Sequence, residues 1–171
     1  AITGSKGCFA AATGIGLIAG LLADADILIR SSGDTLLNLE YHRHFTHALV
    51  FVPIGALLAA LLAWPLFRRR LRFARVYLYA LLGYSLSGVL DASTSYGTYL
   101  FWPFSETRVA WNIISIVDPA FTLVLLVAVL LGLRRRAAVA ARVGLLLAAA
   151  YLALGWYQHD RAEQAAKELA R

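Results

Sequence analysis

The sequence predicts an all-α fold, a polytopic transmembrane helical bundle of about five membrane segments, and three observations carry that prediction. The 171 residues are 60% hydrophobic and only 15% charged, against about 25% charged in ordinary soluble domains. The apolar residues lie in long charge-free runs and not at amphipathic spacing, which is the pattern of segments that face lipid. The cations cluster between the runs, where they anchor helices at a membrane surface.

Taken in order, the first run extends from Cys8 to Ala23, is broken by Asp24 and Asp26, and continues to Ile29. The others predict helices over about 46–67, 73–91, 112–133 and 137–157, with Asp118 and Pro119 inside the fourth run and Arg142 near the start of the fifth. A single membrane domain over 1–157 then precedes a short polar tail at 158–171 with balanced charge. A spanning helix takes roughly 20 residues at about 1.5 Å each. The second and fourth runs reach that length, whereas the first, third and fifth need their flanks. Backbone groups in lipid must bond internally, so helices are the expected spanning form, and the Pro and Gly within the runs do not argue against them.

Composition removes several classes. The lone Cys8 excludes an intrachain disulfide framework and a multi-cysteine metal site. A net charge of +6 and a pI near 9.8 suit nucleic acid in general, but arginines placed between apolar runs read as topology signals, and no nucleic-acid partner is expected. Gly14, Gly16 and Gly20 lack dinucleotide-fingerprint spacing and no strand precedes them. Gly16 and Gly20 instead form a small-x-x-x-small face for close helix contact, within the chain, with a partner helix or in a homo-oligomer. The alternative for the first run is a signal peptide, since Lys6 precedes it and Ala23-Asp24-Ala25 resembles a cleavage site. With Ala1 first and no Met, the chain is expected to be processed or a fragment.

Arginine placement gives an orientation. Arg68, Arg69, Arg70, Arg72 and Arg75 lie between the second and third runs, and Arg134, Arg135 and Arg136 between the fourth and fifth. Both loops are expected in the cytoplasm. The amino terminus is then inside. The mixed-charge loop with Arg30, Asp34, Glu40 and Arg43, the loop with Glu106 and Arg108, and the carboxyl terminus fall outside.

On that topology the unusual polar residues converge. Asp24 and Asp26 lie near the outer end of the first helix, His42, His44 and His47 just before the second, Asp91 at the outer end of the third, and Asp118 at the outer start of the fourth. Ionisable groups at this depth are costly and mark a site or pair with one another. Imidazole and carboxylate together suit a divalent metal such as Zn, Mn or Fe, and a bound metal acidifies water for hydrolysis. Asp24 and Asp26, two apart, cannot share a helix face and belong on a helix end or turn. His44 and His47 share one if the second helix begins early. Each feature has a plainer reading. The Asp24–Asp26 pair caps a helix end, the histidines form an interfacial polar cluster, Asp91 caps the turn Ser93–Gly97, and Asp118-Pro119 is an N-cap with Pro at the first helical position. Tyr99, Phe101, Trp102 and Phe104 read as an interfacial aromatic belt.

The ordered set Asp24-Ala25-Asp26, His42-Arg43-His44-Phe45-Thr46-His47, Asp91 with Thr94-Ser95-Tyr96-Gly97-Thr98, Trp102-Pro103-Phe104-Ser105 and Ser115-Ile116-Val117-Asp118-Pro119 resembles the YdjM-like family of inner-membrane proteins over about residues 15 to 133. That family is described as metal-dependent hydrolases, some under LexA control, with no substrate supplied by the resemblance. It implies a multi-pass protein of a bacterial inner membrane. It also implies metal ligation at Asp24, Asp26, His42, His47 and Asp91, with Asp24, Asp26, His47 and Asp91 catalytic. Arg43, His44, Thr46, Ser87 and Asp118 would be supporting residues. The chain departs from the family pattern at Ala23 (usually Pro), Ala48 (usually Ser) and Ser87 (usually His, four residues before the Asp). Ile2-Thr3-Gly4 resembles the remnant of a polar family opening.

Two function classes follow. One is a membrane-bound metal-dependent hydrolase with its site at the outer interface, where a lipid or phosphoester substrate suits headgroup depth. The other is a non-catalytic membrane scaffold or complex subunit with a degenerate metal site, which Ser87 and Ala48 favour. Transport is weaker, because transporter sites lie at the bilayer midplane.

Overall fold

A computed structural model describes residues 5–28, 42–135 and 138–170. Helix α1 spans Ser5–Ala23 and runs into a 3-10 turn at Asp24–Leu28. A second 3-10 turn, Phe45–His47, precedes α2 (Val52–Phe67) and α3 (Phe73–Ala92). The last two helices are α4 (Pro119–Arg135) and α5 (Ala138–Leu169). The expected five helices are present, but their lengths are redistributed. The stretches Gly7–Leu28, Phe73–Ala92 and Val139–Leu169 are long and apolar enough to cross a membrane, while Val52–Phe67 and Pro119–Arg134 are shorter. Hydrophobic run length misjudged this because α2 and α4 begin several residues into their runs. Residues 48–51 make turns before α2, and Pro119 sets the first turn of α4. The expected separate tail is the continuation of α5. Nothing after Gly155 breaks a helix, and Glu163–Lys167 (3.1 Å) and Asp160–Gln164 (2.8 Å) pairs line its exposed face.

Helices α1, α2 and α3 pack on one another, and α4 and α5 form a hairpin whose α4 touches α1. The three-helix core is built from small side chains. Ala11, Ile15, Ala19 and Ala23 on α1 face Ala56, Ala59, Ala60 and Ala63 on α2, with Val76, Ala80 and Tyr84 on α3. The spacing of four on α1 and α3 is one helix face. Leucines point the other way, with Leu17, Leu21, Leu62, Leu78, Leu82 and Leu86 exposed. Small residues inside and leucines outside invert the order of a soluble protein. It is the order expected where lipid is the solvent and close backbone approach drives helix association. Gly16 takes part in this: a Cβ on Gly83 of α3 would sit 2.8 Å from its Cα. The small-residue face read from the sequence is therefore used within the chain at Gly16.

The segment between α3 and α4 is ordered without regular helix. Thr98 pairs antiparallel with Val109, Trp111 N donates to Ala92 O (2.7 Å), and Leu49 N donates to Leu100 O (3.0 Å). These bonds fold the segment back over the ends of α2 and α3. Phe101 and Phe104 stay exposed on its rim, in keeping with an interfacial belt. Arg30, Asp34, Glu40 and Ile2-Thr3-Gly4 lie outside the described residues.

Candidate metal centre

Three segments deliver the centre. The end of α1 gives way to a 3-10 turn at Asp24, so the two aspartates point apart, as their spacing required. Asp24 is half exposed, and Asp26 is buried. The turn Phe45–His47 carries His47, which is fully buried. The last turn of α3 supplies Asp91. His47 can lie this close to α3 because residue 88 is Gly: a Cβ there would stand 2.6 Å from the His47 carbonyl oxygen.

One ligand atom from each of Asp24, His47 and Asp91 falls within 4.8 Å of the others. His47 Nε2 lies 3.4 Å from Asp24 Oδ1 and 2.9 Å from Asp91 Oδ2. Among the described residues neither His47 Nε2 nor Asp91 Oδ2 has a partner in hydrogen-bond geometry, although both are buried. A buried polar atom left in that state costs about 1–3 kcal/mol.

Asp26 and His42 form the adjoining layer. Asp26 Oδ1 meets His42 Nδ1 at 3.1 Å. Its Oδ2 accepts from Arg43 N at 2.8 Å and from the Thr46 hydroxyl at 2.7 Å. Because the Thr46 proton is committed to Asp26, the Thr46 oxygen 2.9 Å from His47 Nδ1 must accept. That relay, His47 to Thr46 to Asp26, places a proton on Nδ1 and turns Nε2 toward the two carboxylates. A bare lone pair cannot face two carboxylates without a positive charge between them. In the metal-free protein that charge is a proton. Burial alone pulls the imidazole down, but Asp24, Asp26 and Asp91 around it push its pKa up to about 10. A divalent cation answers the same need, and the Asp24, His47, Asp91 set could hold one.

The remaining expected residues take varied places. Arg43 Nη2 sits 3.4 Å from Asp91 Oδ1. His44 lies outside α2 and does not share a face with His47. It turns to the aromatic segment, 4.6 Å from Tyr99 and 5.6 Å from Trp102 between ring centroids. The helix begins only at Val52, so neither histidine lies on it, and Arg43 between His42 and His44 takes a left-handed backbone (φ 59°). Ser87 stands one turn before Asp91 on α3. Asp118 caps α4 by accepting from Phe121 N (2.9 Å) and also accepts from the Tyr151 hydroxyl (2.8 Å). The plainer capping reading describes that geometry. A cavity of about 120 Å³ between Leu90, Asp91, Thr94, Ser115, Asp118 and Thr122 adjoins the centre.

Three contributors were not singled out from the sequence. Tyr84, buried in the core, donates its hydroxyl to Thr46 O at 3.0 Å. Gly88 admits the His47 backbone. Arg108 donates to Tyr96 O (3.2 Å) and His42 O (3.4 Å) and stacks on Tyr96 and Tyr99. A tyrosine and a glycine four apart on one helix face, both small-side or hydroxyl-bearing, were the available signal for the first two.

The family described as YdjM inner membrane protein matches residues 1–162. The chain belongs to the YdjM family. Inner membrane protein YbcI of Escherichia coli (strain K12) is 32% identical over 111 residues, covering 63% of each chain. Uncharacterized protein YfhP of Bacillus subtilis (strain 168) is 29% identical over 119 residues, covering 69% of this chain and 36% of YfhP. This YdjM-family chain thus matches just under two thirds of YbcI and about a third of YfhP. No solved structure matches it.

Proposed function

We propose that this YdjM-family protein is a membrane-bound metal-dependent hydrolase whose centre lies at the outer face of the inner membrane. The observation that carries the reading is the convergence of Asp24, His47 and Asp91, with buried His47 Nε2 facing both carboxylates, 3.4 Å from Asp24 Oδ1 and 2.9 Å from Asp91 Oδ2. These residues hold the metal. When bound, a divalent metal supplies Lewis acidity for ester polarisation and water acidification. Thr46 and Asp26 orient His47, and such supporting partners are typically worth 10–100-fold in metal affinity. Arg43 positions Asp91. Asp26 has both oxygens occupied and serves as an orienting group. It meets His42 Nδ1 and so orients that partly exposed ring. The outward orientation is supported by Arg68, Arg69 and Arg70, which follow the end of α2, and by Arg134 in the last turn of α4, all away from the centre. A lipid or phosphoester substrate suits that depth.

A second reading rests on Ser87. A hydroxyl stands one turn before Asp91 where the family pattern has an imidazole, and a hydroxyl is a poor ligand beside imidazole and carboxylate. On this reading the chain is a membrane scaffold with a decayed site. Elemental analysis of detergent-purified protein separates the two. Near-stoichiometric metal that is lost in Asp24→Ala supports the hydrolase. No metal in the parent, but metal in Ser87→His, supports the scaffold.

A further inference from the structure

Two cavities reach the metal centre, and they differ in chemistry. One of about 230 Å³ is walled by Leu22, Phe45, Phe51 and Leu58. It touches Asp26 and Thr46 but none of the grouped residues. The other, about 120 Å³, touches Asp91 itself. Its polar lining is Asp91, Thr94, Ser115, Asp118 and Thr122, and Leu90, Ile114 and Phe121 supply apolar walls. These walls are pinned. Ile113 N and Ile114 N donate to Ser93 O at 3.0 and 3.2 Å, which fixes their segment against the end of α3. A side chain at Gly155 of α5 would run into the Ile113 carbonyl, so the hairpin packs on the same segment. Asp118 is held by Phe121 N and the Tyr151 hydroxyl. Thr94 donates its hydroxyl to Asp91 O at 2.8 Å.

Among the described residues, no lysine or arginine lines this cavity. Two carboxylates without a cation repel an anionic group. Neither carboxylate calls for a cationic ligand either. Asp118 faces the positive end of α4, and Asp91 is set against His47 and Arg43. What remains for a ligand is hydroxyls and spare acceptor oxygens. The Ser115 and Thr122 hydroxyls are at exposed positions and form no hydrogen bond among the described residues. A hydroxyl both donates and accepts, so this lining complements other hydroxyls. At about 30 Å³ per water, the space is that of about four waters, room for a three-carbon polyol. We propose that this cavity is the subsite for the alcohol half of the hydrolysed ester. It takes a small neutral polyol of the glyceryl kind, bound by Ser115 and Thr122, while the ester group lies at the centre beside Asp91. The inference deepens the hydrolase reading and rests on it for the ester half.

The test is equilibrium dialysis of radiolabelled glycerol 3-phosphate against the zinc-loaded, detergent-purified full chain, with methyl phosphate as competitor and elemental analysis of every sample. The parent prefers glycerol 3-phosphate about tenfold, or about 1.4 kcal/mol, the order of two net hydrogen bonds. The double variant Ser115→Ala with Thr122→Val cuts that preference to about twofold or less, while metal content and methyl phosphate affinity are unchanged. An undiminished preference in the double variant overturns the proposal, as does equal affinity of the parent for both esters. If the double variant does not fold, Ser115→Ala alone decides: a loss of about threefold is expected, and no loss overturns the proposal. Ethanolamine phosphate binding tighter than glycerol 3-phosphate also overturns it. If the parent holds no metal, or binds neither ester, the hydrolase reading fails separately and glycerol alone decides. Saturation-transfer NMR from the chain to glycerol that weakens in the double variant sustains the polyol site, and equal transfer overturns it. Dihexanoyl phosphatidylglycerol distinguishes the source of the group. Competition about tenfold tighter than glycerol 3-phosphate supports a lipid headgroup, and equal competition supports a free ester.

Discussion

The three-helix unit α1–α3 and the hairpin α4–α5 obey the same packing rule to different ends. In both, glycine and alanine make the closest helix contacts. In α1–α3 Gly83 packs against Gly16 and Gly88 against the His47 backbone, and a cavity of about 230 Å³ lies between Leu22, Asp26, Phe45, Leu58 and Tyr84. In the hairpin, Gly144 meets Ala128, but a cavity of about 430 Å³ opens beside them, lined by Leu123, Val127, Leu131, Val143 and Leu147. The three grouped residues, Asp24, His47 and Asp91, all belong to α1–α3 or its end turns and none to the hairpin. The difference teaches that a polar centre at a membrane face is built where backbones approach closely enough to fix side chains from separate helices. The hairpin adds a cap and an anchor, through Asp118 and Tyr151.

The sharpest way to break this contrast is Gly88→Val. Its Cβ meets the His47 carbonyl, so it should displace the turn that carries His47, abolish metal content and destabilise the fold by about 1–3 kcal/mol. Retained metal with unchanged thermal unfolding would show that the close approach does not matter. Next is Thr46→Val, which cuts the relay from His47 Nδ1 to Asp26. It should lower metal affinity by about 10–100-fold with the fold intact, read by competition with a chelator. Smallest is Asp118→Asn in the hairpin, which keeps a capping oxygen. It should cost well under 1 kcal/mol of stability and leave metal affinity within about twofold, since positions with no shared partner act independently.

The pH dependence sharpens the comparison from the α1–α3 side. In metal-free protein the pairing of His47 with its carboxylates holds its pKa at about 10 against an ordinary 6.5. A raised folded-state value means stability that is fully present below about pH 6.5 and lost as pH rises through about 10. Metal must displace that proton, so its affinity should rise by about tenfold per pH unit between those limits. A flat profile in buffered titrations would show that metal binds elsewhere.

Much of this was legible in the sequence, for physical reasons. Charge-free runs must be helices in lipid, so the helix count followed from composition. Asp24, His47 and Asp91 could be gathered to one face because antiparallel alternation left them no other. What the sequence concealed was local. Helix length was misread because residues 48–51 are apolar without being part of α2. His44 and His47 looked like a helix-face pair for the same reason, and nothing in an arginine announces a left-handed backbone at position 43. The division of roles between Asp24, grouped with His47 and Asp91, and Asp26, which orients His42 and Thr46, depends on which side of a 3-10 turn each one faces. Gly88 was hidden among many glycines in membrane helices, where only the contact it admits distinguishes it.

The central claim is that the metal is held by one imidazole and two carboxylates. X-ray absorption at the metal edge of the loaded, detergent-purified protein tests it most directly. The account predicts an oxygen-rich first shell containing a single imidazole, which disappears in His47→Ala and persists in His42→Ala. Two or more imidazoles, or a first shell unchanged in His47→Ala, would contradict it.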